Sequence, residues 1–296
     1  MSKITKYSIK DLHKDFPTDE ACLKLLFNTL HSEKCSCGGT YSPLFHTIDG
    51  QLEGRKQYQC SKCRYQIAPT SNTIFHKSDT PLTLWFHAIW AFSNAKSGIS
   101  AKEMERQLGV TYKCAWRILS LIRKALEDNG NDKLDGSVEI DTGYFGGRHY
   151  AGKNNEKLSE AIAKKSVVII AIQRGGKMKA EIVPDGGNRV MTDFILRNIK
   201  KSANLITDSS RVYMRTDKVY SRFSVDHHKG EYVRGAVHIN TVETFFSHLK
   251  RSMKGTHKVI SKKYLQDYLN AFVFHYNNRH NDRQRFGTLL GTLLHA

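Results

Sequence analysis

The stretch VEIDTGYFGG, residues 138–147, decides the fold of this chain. Its apolar residues alternate with polar ones, which indicates a β-strand, and the closing Gly146 and Gly147 predict a turn. Asp141 lies inside this strand. A carboxylate in an otherwise apolar strand is costly to bury unless it binds a cation or another partner. The stretch therefore predicts a strand that carries a functional acid.

Two further acids stand in segments of a similar kind. The sequence NLITDS, residues 204–209, is a short apolar run with Asp208 near its end, and HINTVETFFSHLKR, residues 238–251, has helical periodicity and carries Glu243. Lys250 follows Glu243 by seven residues, which places both on nearly the same side of a helix. Each Mg²⁺ in a phosphoryl-transfer site takes few protein carboxylates and completes its shell with water and phosphate oxygens. The three acids therefore predict a site for two divalent metal ions.

The charge balance of the chain favours a polyanionic partner. Its 296 residues contain 46 Lys and Arg against 28 Asp and Glu, a formal net charge of +18. An excess of this size indicates nucleic acid, and the alternative is a basic surface that serves only solubility. The length is that of two or three domains.

The sequence favours neither a membrane protein nor a secreted one. The longest purely apolar run, residues 167–172, is too short to span a bilayer, and the N-terminal stretch MSKITKYSIKDLHKDF lacks the apolar core of a signal peptide. Four of the six cysteines form a CxC and a CxxC pair. This pattern indicates metal binding in a reducing cytosol rather than disulfide bonds.

Residues 34–78 predict a zinc ribbon, after a helical lead-in over residues 1–33 whose helix Thr18 caps. Two thiolate pairs, separated by β-prone sequence, are typical of a structural Zn²⁺ site with four sulfur ligands. The ligands are Cys35, Cys37, Cys60 and Cys63. Such ribbons usually have CxxC at both turns, so the CxC pair predicts a strained turn. The alternative is a ribbon-shaped fold that has lost its metal.

Residues 79–128 predict a helical DNA-binding domain. Thr80 and Pro81 begin a buried helix, with Thr80 as its cap. The segment SGISAKEMERQLGVTYKCAWRIL, residues 97–119, then has the helix, glycine turn and helix of a helix-turn-helix. In that interpretation the second helix enters the major groove. The residues facing DNA are then Thr111, Tyr112, Lys113 and Arg117. The alternative, an ordinary helical hairpin, is disfavoured by the net charge.

Residues 137–296 predict an α/β domain with a mixed sheet covered by helices, after a polar linker at residues 128–136. A basic loop at residues 148–157 follows the first strand. The remaining elements follow from periodicity and turn residues. They are strands at 166–173 and 177–183 around the turn Gly175–Gly176, a helix at 191–199, the strand ending at Asp208, a strand at 222–227, and helices from Thr241 and over 262–278.

A run of basic residues without an acid joins the last two of these helices. Its members are Lys250, Arg251, Lys254, Lys258, Lys262 and Lys263. Beside a phosphoryl-transfer site, such a run predicts contacts with DNA backbone phosphates. His227 and His228 have no Cys or His at a matching ligand spacing, so we expect an exposed or packed pair near a strand end rather than metal ligands.

Taken together, these motifs resemble the transposases of bacterial insertion sequences in the ISXO-like group. The resemblance covers roughly residues 20–280 and rests on YQCSKCRYQIAPTSNTIF at 58–75, the helix-turn-helix segment, VEIDTGYFGG, LITDS and HINTVETFFSHLKR. It implies a multidomain protein with a zinc ribbon, a helix-turn-helix and an RNase H-like catalytic domain. It also implies Mg²⁺ or Mn²⁺ as cofactor and DNA strand transfer at terminal inverted repeats.

By this resemblance Asp141 and Asp208 are the first two catalytic acids of a DDE-type site. The family's third residue is Asn or Glu, and both Asn240 and Glu243 are present here. We expect Glu243 to be the metal ligand, because it is ionised at neutral pH and shares its helix face with Lys250. Thr142 departs from the family pattern, in which an acid commonly follows the first aspartate.

Two other functions remain open on the sequence. One is a zinc-ribbon and helix-turn-helix regulator that binds DNA without chemistry, and the other is an RNase H-like nuclease that cuts without joining. For the transposase we expect the element's ends and target DNA as partners, no membrane partner, and a homodimer or larger assembly on paired ends. We expect a cytoplasmic, nucleoid-associated location in a bacterial cell.

Overall fold

Two compact units, each built from separate segments of the chain, organise the fold. The computed structural model describes residues 6–44, 57–127, 132–146 and 165–295. Unit 1 comprises Met1–Ala95, Ala101–Leu126 and Asn281–Ala296, and unit 2 comprises Lys96–Ser100 and Glu127–His280. The predicted linker lies partly outside the described residues, and the predicted basic loop lies wholly outside them.

In unit 1 a small antiparallel sheet follows two helices. The elements are α1 (Ile9–Asp15), α2 (Asp19–Leu30), β1 (Tyr41–Leu44), β2 (Gln57–Cys60) and β3 (Gln66–Ile67), with β2 in the middle of the sheet. Thr18 caps α2, as predicted, by accepting a hydrogen bond from the backbone N–H of Ala21. Phe27 of α2 stacks on Tyr58 of β2 with 3.9 Å between the ring centroids. This contact provides apolar cover for a sheet too small to have much core of its own.

Three further helices belong to unit 1, and the first of them is capped by a residue that the sequence did not predict. They are α3 (Leu82–Asn94), α4 (Ala101–Leu108) and α5 (Tyr112–Lys124). The predicted cap of α3, Thr80, makes no capping hydrogen bond. The carboxylate of Asp19 accepts hydrogen bonds from the backbone N–H groups of Leu82 and Thr83, at 3.0 and 2.9 Å. A residue 63 positions away therefore satisfies donors that the helix itself leaves unpaired.

The C-terminal segment differs from its prediction. The sequence analysis places residues 281–296 in the C-terminal α/β domain, but the structure groups Asn281–Ala296 with unit 1. This segment forms the helix Arg285–Leu294, whose apolar residues Phe286 and Leu289 are buried. Phe286 stacks on Tyr7 with 5.2 Å between ring centroids. The apolar face of this helix is thus buried in the unit that begins at the N-terminus.

Unit 2 is built on a five-stranded mixed sheet, as predicted. Its strands are β4 (Ser137–Phe145), β5 (Ser166–Gln173), β6 (Met178–Val183), β7 (Asn204–Asp208) and β8 (Ser221–Val225), in the order β6-β5-β4-β7-β8. β4 pairs antiparallel with β5, and β5 pairs antiparallel with β6. β7 runs parallel to both β4 and β8. β4 is therefore the strand at which the sheet changes from antiparallel to parallel pairing.

Helices cover both faces of this sheet. Unit 2 contains α6 (Asn188–Asn198), α7 (Asn240–Ser252) and α8 (Leu265–Asn277). Val138 and Ile140 of β4 pack in the core that contains α6, whereas Phe145 packs in the core formed with α7 and α8. Because side chains alternate along a strand, Asp141 lies on the α7 side with Phe145. Within the part of the chain that the structure describes, no helix is long and apolar enough to cross a bilayer.

Candidate functional site

The four cysteines of the predicted ribbon converge on one point. All four sulfurs lie within 4.8 Å of one another. Cys35 Sγ is 3.6 Å from Cys63 Sγ, and Cys37 Sγ is 3.4 Å from Cys60 Sγ. A tetrahedral Zn²⁺ with bonds of about 2.3 Å separates its sulfurs by about 3.8 Å. The cluster thus has the donor type and dimensions of a structural zinc site.

Two glycines make the short CxC turn possible. Gly38 has φ +76°, a left-handed conformation that favours glycine. At Gly39 a Cβ would stand 2.6 Å from Cys60 Sγ. A hydrogen bond from the Tyr41 hydroxyl, supported by the backbone N–H of Cys37, lowers the pKa of the Cys35 thiol to about 6. The turn therefore brings Cys35 into the cluster in a setting that favours the metal-binding thiolate.

The predicted acids Asp141 and Asp208 lie on neighbouring parallel strands of unit 2. Glu139 pairs with Ile206, so two residues further along each strand lie Asp141 and Asp208. Asp141 Oδ1 accepts a hydrogen bond from the backbone N–H of Thr142 at 2.7 Å. Asp208 Oδ1 accepts one from the backbone N–H of Ser210 at 3.1 Å. The fold thus brings together two carboxylates separated by 67 positions in the sequence.

The electrostatics of Asp141 connect it to Glu243 as well. Burial raises the pKa of Asp141 to about 6, and the negative charges of Asp208 and Glu243 add to this shift. The Thr142 backbone N–H and His227 act in the opposite direction. The negative charges of Asp208 and Glu243 therefore both repel the Asp141 carboxylate. A bound divalent cation would remove this repulsion.

His227 lies beside Glu243, although the sequence predicted only an exposed or packed histidine at this position. It begins the 3₁₀ turn His227–Lys229 after β8, and its Nδ1 lies 3.8 Å from Glu243 Oε1. Its ring also lies beside that of Tyr232, with 5.0 Å between centroids. The spacing of possible ligands along the chain did not identify His227, because Glu243, the side chain beside it, lies on a helix 16 positions later.

The two candidates for the third ligand have different surroundings on α7. Glu243 is in the first turn and interacts electrostatically with Asp141. Asn240, the first residue of α7, lines a cavity of about 410 Å³. The other residues lining this cavity are Thr241, Thr244, Phe245, His248 and Tyr276. Of the two residues, Glu243 is the one whose charge acts on Asp141.

Lys250 lies beside β4, and its basic neighbours are exposed. Lys250 Nζ lies 6.0 Å from the centroid of the Phe145 ring, and Phe145 follows Asp141 by four positions on the same face of β4. Arg251 and Lys254 are exposed on α7 and the turn that follows it. The predicted basic run is thus available to solvent next to the strand that carries Asp141.

The predicted helix-turn-helix residues lie at the start of α5. Thr111 caps this helix by accepting a hydrogen bond from the backbone N–H of Cys114. Tyr112 is 51% exposed, and Lys113 is exposed beside it. Arg117 is partly buried and donates a hydrogen bond to Ser78 Oγ at 3.4 Å. Of the four residues, Tyr112 and Lys113 are the side chains most available to a partner.

Comparisons with known proteins bear on unit 2 above all. Residues 133–277 match the family model of the ISXO2-like transposase domain. A Halobacterium salinarum protein, described as an uncharacterized protein in transposable element ISH50, is 26% identical in a 234-residue alignment that covers 73% of this chain and 77% of that protein.

Two solved structures align with most of the chain at low similarity. The Mos1 strand transfer complex aligns with 71% of this chain and 75% of its own, at 8% identity and a TM-score of 0.31. A simian T-cell lymphotropic virus intasome in complex with the PP2A regulatory subunit B56 gamma aligns with 70% of this chain and 74% of its own, at 11% identity and a TM-score of 0.30. Neither likeness is close enough to support an inference about this chain.

Proposed function

We propose that the chain is an insertion-sequence transposase that cuts and joins DNA with a divalent metal, because residues 133–277 match the family model of the ISXO2-like transposase domain. The observation that carries the proposal is the placement of Asp141 and Asp208 on neighbouring parallel strands of the matched domain, with the charge of Glu243 on α7 also acting on Asp141. Strand order supports an RNase H-like fold, since three antiparallel strands are extended by two parallel ones.

The donor set of the cluster fits Mg²⁺ or Mn²⁺. Carboxylate oxygens are the ligands these hard cations prefer. Asp141, Asp208 and Glu243 would hold the metal. When bound, the ions supply Lewis-acid stabilisation of the attacking and leaving oxygens. Burial raises the pKa of Asp141 most and the charges of Asp208 and Glu243 raise it further, and a bound cation would offset both effects.

The surrounding residues have separate tasks in this proposal. Lys250 binds a backbone phosphate beside the carboxylates, and Arg251 and Lys254 hold the strand further along. The largely buried position of Asp141 limits water around the reacting phosphate. The Thr142 backbone N–H fixes one oxygen of Asp141, and the other oxygen would be the one to hold a metal ion.

Unit 1 would recognise the terminal inverted repeats of the element. We assign base contacts to Tyr112 and Lys113 at the start of α5, with Thr111 ordering the helix N-terminus and Arg117 bracing it. The cysteine cluster would hold a structural Zn²⁺ that stabilises the ribbon. A homodimer or larger assembly would pair the two ends of the element.

The decisive experiment is an assay of cutting and joining on a plasmid that carries the element's ends, with Mg²⁺ or Mn²⁺. We compare the wild type with Asp141→Asn and with Asp193→Asn, a control that makes the same exchange at an exposed position on α6. Both activities should vanish in Asp141→Asn and persist in the control. Activity of Asp141→Asn equal to wild type would refute the assignment.

The same assay separates the two alternatives. Metal-dependent cutting without joined products would identify a nuclease. Specific binding of the ends, with no chemistry under either metal, would identify a DNA-binding regulator. Neither outcome depends on which of Asn240 and Glu243 acts as the third ligand.

A further inference from the structure

A second acid on β4, Glu139, is fully buried, although the metal site described above does not use it. Its side chain is 0% exposed and lies two positions before Asp141, on the same face of the strand. A buried carboxylate is costly unless its hydrogen bonds and charge are satisfied. The partners of Glu139 therefore indicate what this residue does.

The partners are the first residues of α7. Glu139 Oε2 accepts hydrogen bonds from the backbone N–H groups of Thr241 and Val242, at 2.8 and 3.2 Å. Its Oε1 accepts one from the Thr241 hydroxyl at 2.8 Å. No side chain of the preceding residues caps α7. A carboxylate from the central strand thus serves as the N-terminal cap, 102 residues away in sequence.

Arg174 completes the arrangement from the end of β5. Its Nε donates to Glu139 Oε1 at 2.7 Å. Its two terminal nitrogens donate to the backbone carbonyls of Ala236 and His238, at 2.6 and 2.7 Å. The same guanidinium therefore neutralises Glu139 and holds the segment that leads into α7. One connected set of contacts thus fixes both carboxylate oxygens of Glu139 and the segment that leads into α7.

We infer that Glu139, together with Arg174, is a positioning residue that fixes the first turn of α7 and so sets Glu243 against Asp141 and Asp208. Glu243 follows Thr241 by two residues, within the turn that Glu139 holds. β4 therefore carries one acid for the metal and one for the helix that brings the third metal ligand. This inference rests on the proposed function, because its effect is on metal binding by the three acids.

The test measures how cleavage by the full-length protein depends on Mn²⁺ concentration. Glu139→Gln keeps the size of the side chain but replaces one carboxylate oxygen with an NH2 group. This group cannot accept the hydrogen bond that the oxygen accepted. We expect the Mn²⁺ concentration for half-maximal cleavage to rise about tenfold, within the range known for residues that orient metal ligands. At saturating Mn²⁺ the rate should recover to within about threefold of wild type. Glu243→Gln, which removes a ligand, should not recover.

A milder variant and a matched control distinguish an effect on metal binding from a loss of folded protein. Thr241→Val removes the hydroxyl donor to Glu139 and should raise the half-maximal Mn²⁺ concentration about threefold. Asp282→Asn, in unit 1, removes the carboxylate partner of the buried Arg285, as Glu139→Gln does for Arg174. The control should lower the unfolding temperature without shifting the Mn²⁺ dependence.

The outcomes distinguish this inference from the proposed function. If the wild type neither cleaves DNA nor binds Mn²⁺ in calorimetry, the proposed function fails. If the wild type is active and both Glu139→Gln and Thr241→Val keep its Mn²⁺ dependence, the positioning role is wrong. A rate lowered equally at all Mn²⁺ concentrations would also overturn it, since that result indicates loss of folded protein only.

Discussion

Phe246 of α7 occupies the space above Gly143 of β4, where a Cβ would stand 2.6 Å from Phe246 Cε1. Phe246 is buried and stacks on Phe145 with 5.9 Å between ring centroids. The absence of a side chain at position 143 thus lets the helix that carries Glu243 pack close to the strand that carries Asp141. The distance between helix and strand at the metal site depends on this glycine.

We therefore predict that Gly143→Ala lowers both stability and strand cleavage. Overpacking of a buried contact costs about 1–3 kcal/mol, and the displaced helix would move Glu243 away from Asp141. Denaturant unfolding and the plasmid assay measure the two effects. Adding Phe246→Leu should restore part of both, because it removes the atoms that clash. If Gly143→Ala behaves as wild type, the close approach has no functional importance.

The raised pKa of Asp141 predicts a pH-dependent stability. Because folding raises this pKa from 3.8 to about 6, the fold binds the proton more tightly than the unfolded chain. The resulting stabilisation is complete below pH 3.8 and is lost as the pH rises through 6. In buffer free of Mg²⁺ and Mn²⁺, Asp141→Asn should exceed the wild type in unfolding free energy by about 3 kcal/mol above pH 6. The difference should shrink toward pH 4.

Adding the metal ion provides a control for this prediction. Mg²⁺ or Mn²⁺ should stabilise the wild type at pH 7, where Asp141 is ionised, and should leave Asp141→Asn unchanged. Cleavage by the wild type should fall as the pH drops below about 6, because protons then compete with the metal. Equal pH profiles of stability for wild type and Asp141→Asn would contradict the electrostatic account.

The surroundings of Glu243 and Asn240 predict unequal effects of their replacement. Glu243→Gln should lower the cleavage rate by about 100-fold or more, since metal stabilisation of the transition state is worth several kcal/mol. Asn240→Ala should lower it by less than about tenfold. Single-turnover cleavage at saturating Mn²⁺ compares them directly. The reverse order would make Asn240 the third ligand.

The cysteine cluster predicts about one Zn²⁺ per chain by elemental analysis of the purified protein. Cys60→Ser should lose the metal and the slow hydrogen exchange of β1 and β2, since a structural zinc supplies much of the folding free energy of so small a segment. Cys114→Ser is the matched control, because this cysteine lies outside the cluster. Retention of stoichiometric zinc by Cys60→Ser would rule out a four-sulfur site.

The basic residues predict two kinds of DNA-binding defect. Replacing Arg251 and Lys254 with alanine should weaken binding to all sequences and reduce the slope of log affinity against log salt by about 0.9 for each phosphate that is no longer neutralised. Tyr112→Ala should instead reduce the preference for the element's ends over other DNA. Fluorescence anisotropy at several salt concentrations distinguishes the two. An unchanged salt slope would remove Arg251 and Lys254 from the DNA interface.

Local patterns predicted most of the elements of unit 2. The apolar alternation and the Gly175–Gly176 turn correspond to β5 and β6, and the run ending at Asp208 corresponds to β7. Such signals depend only on neighbours in sequence. The sequence patterns did not predict the helix Arg285–Leu294. It contains Gly287 and Gly291, which have low helix propensity, and tertiary burial of its apolar face compensates.

The parts of the site that the sequence did not predict depend on distant partners. Glu139 caps a helix 102 positions later, and Asp19 caps one 63 positions later. His227 meets Glu243 only because β8 and α7 converge. The predicted strain of the CxC turn did not keep the sulfurs apart, because Gly38 adopts a positive φ and Gly39 leaves room for Cys60. Each of these contacts requires the tertiary fold.

The division of unit 1 between both ends of the chain has a consequence for protein synthesis. The ribosome releases the ribbon and α3 to α5 early, but the helix Arg285–Leu294 of the same unit is made after all of unit 2. A nascent chain therefore has an incomplete unit 1 until this helix has emerged, and the DNA recognition proposed for unit 1 should mature only then. Ribosome-bound chains stalled before residue 281 should be cut by protease within α3 to α5 more readily than chains stalled beyond the last helix.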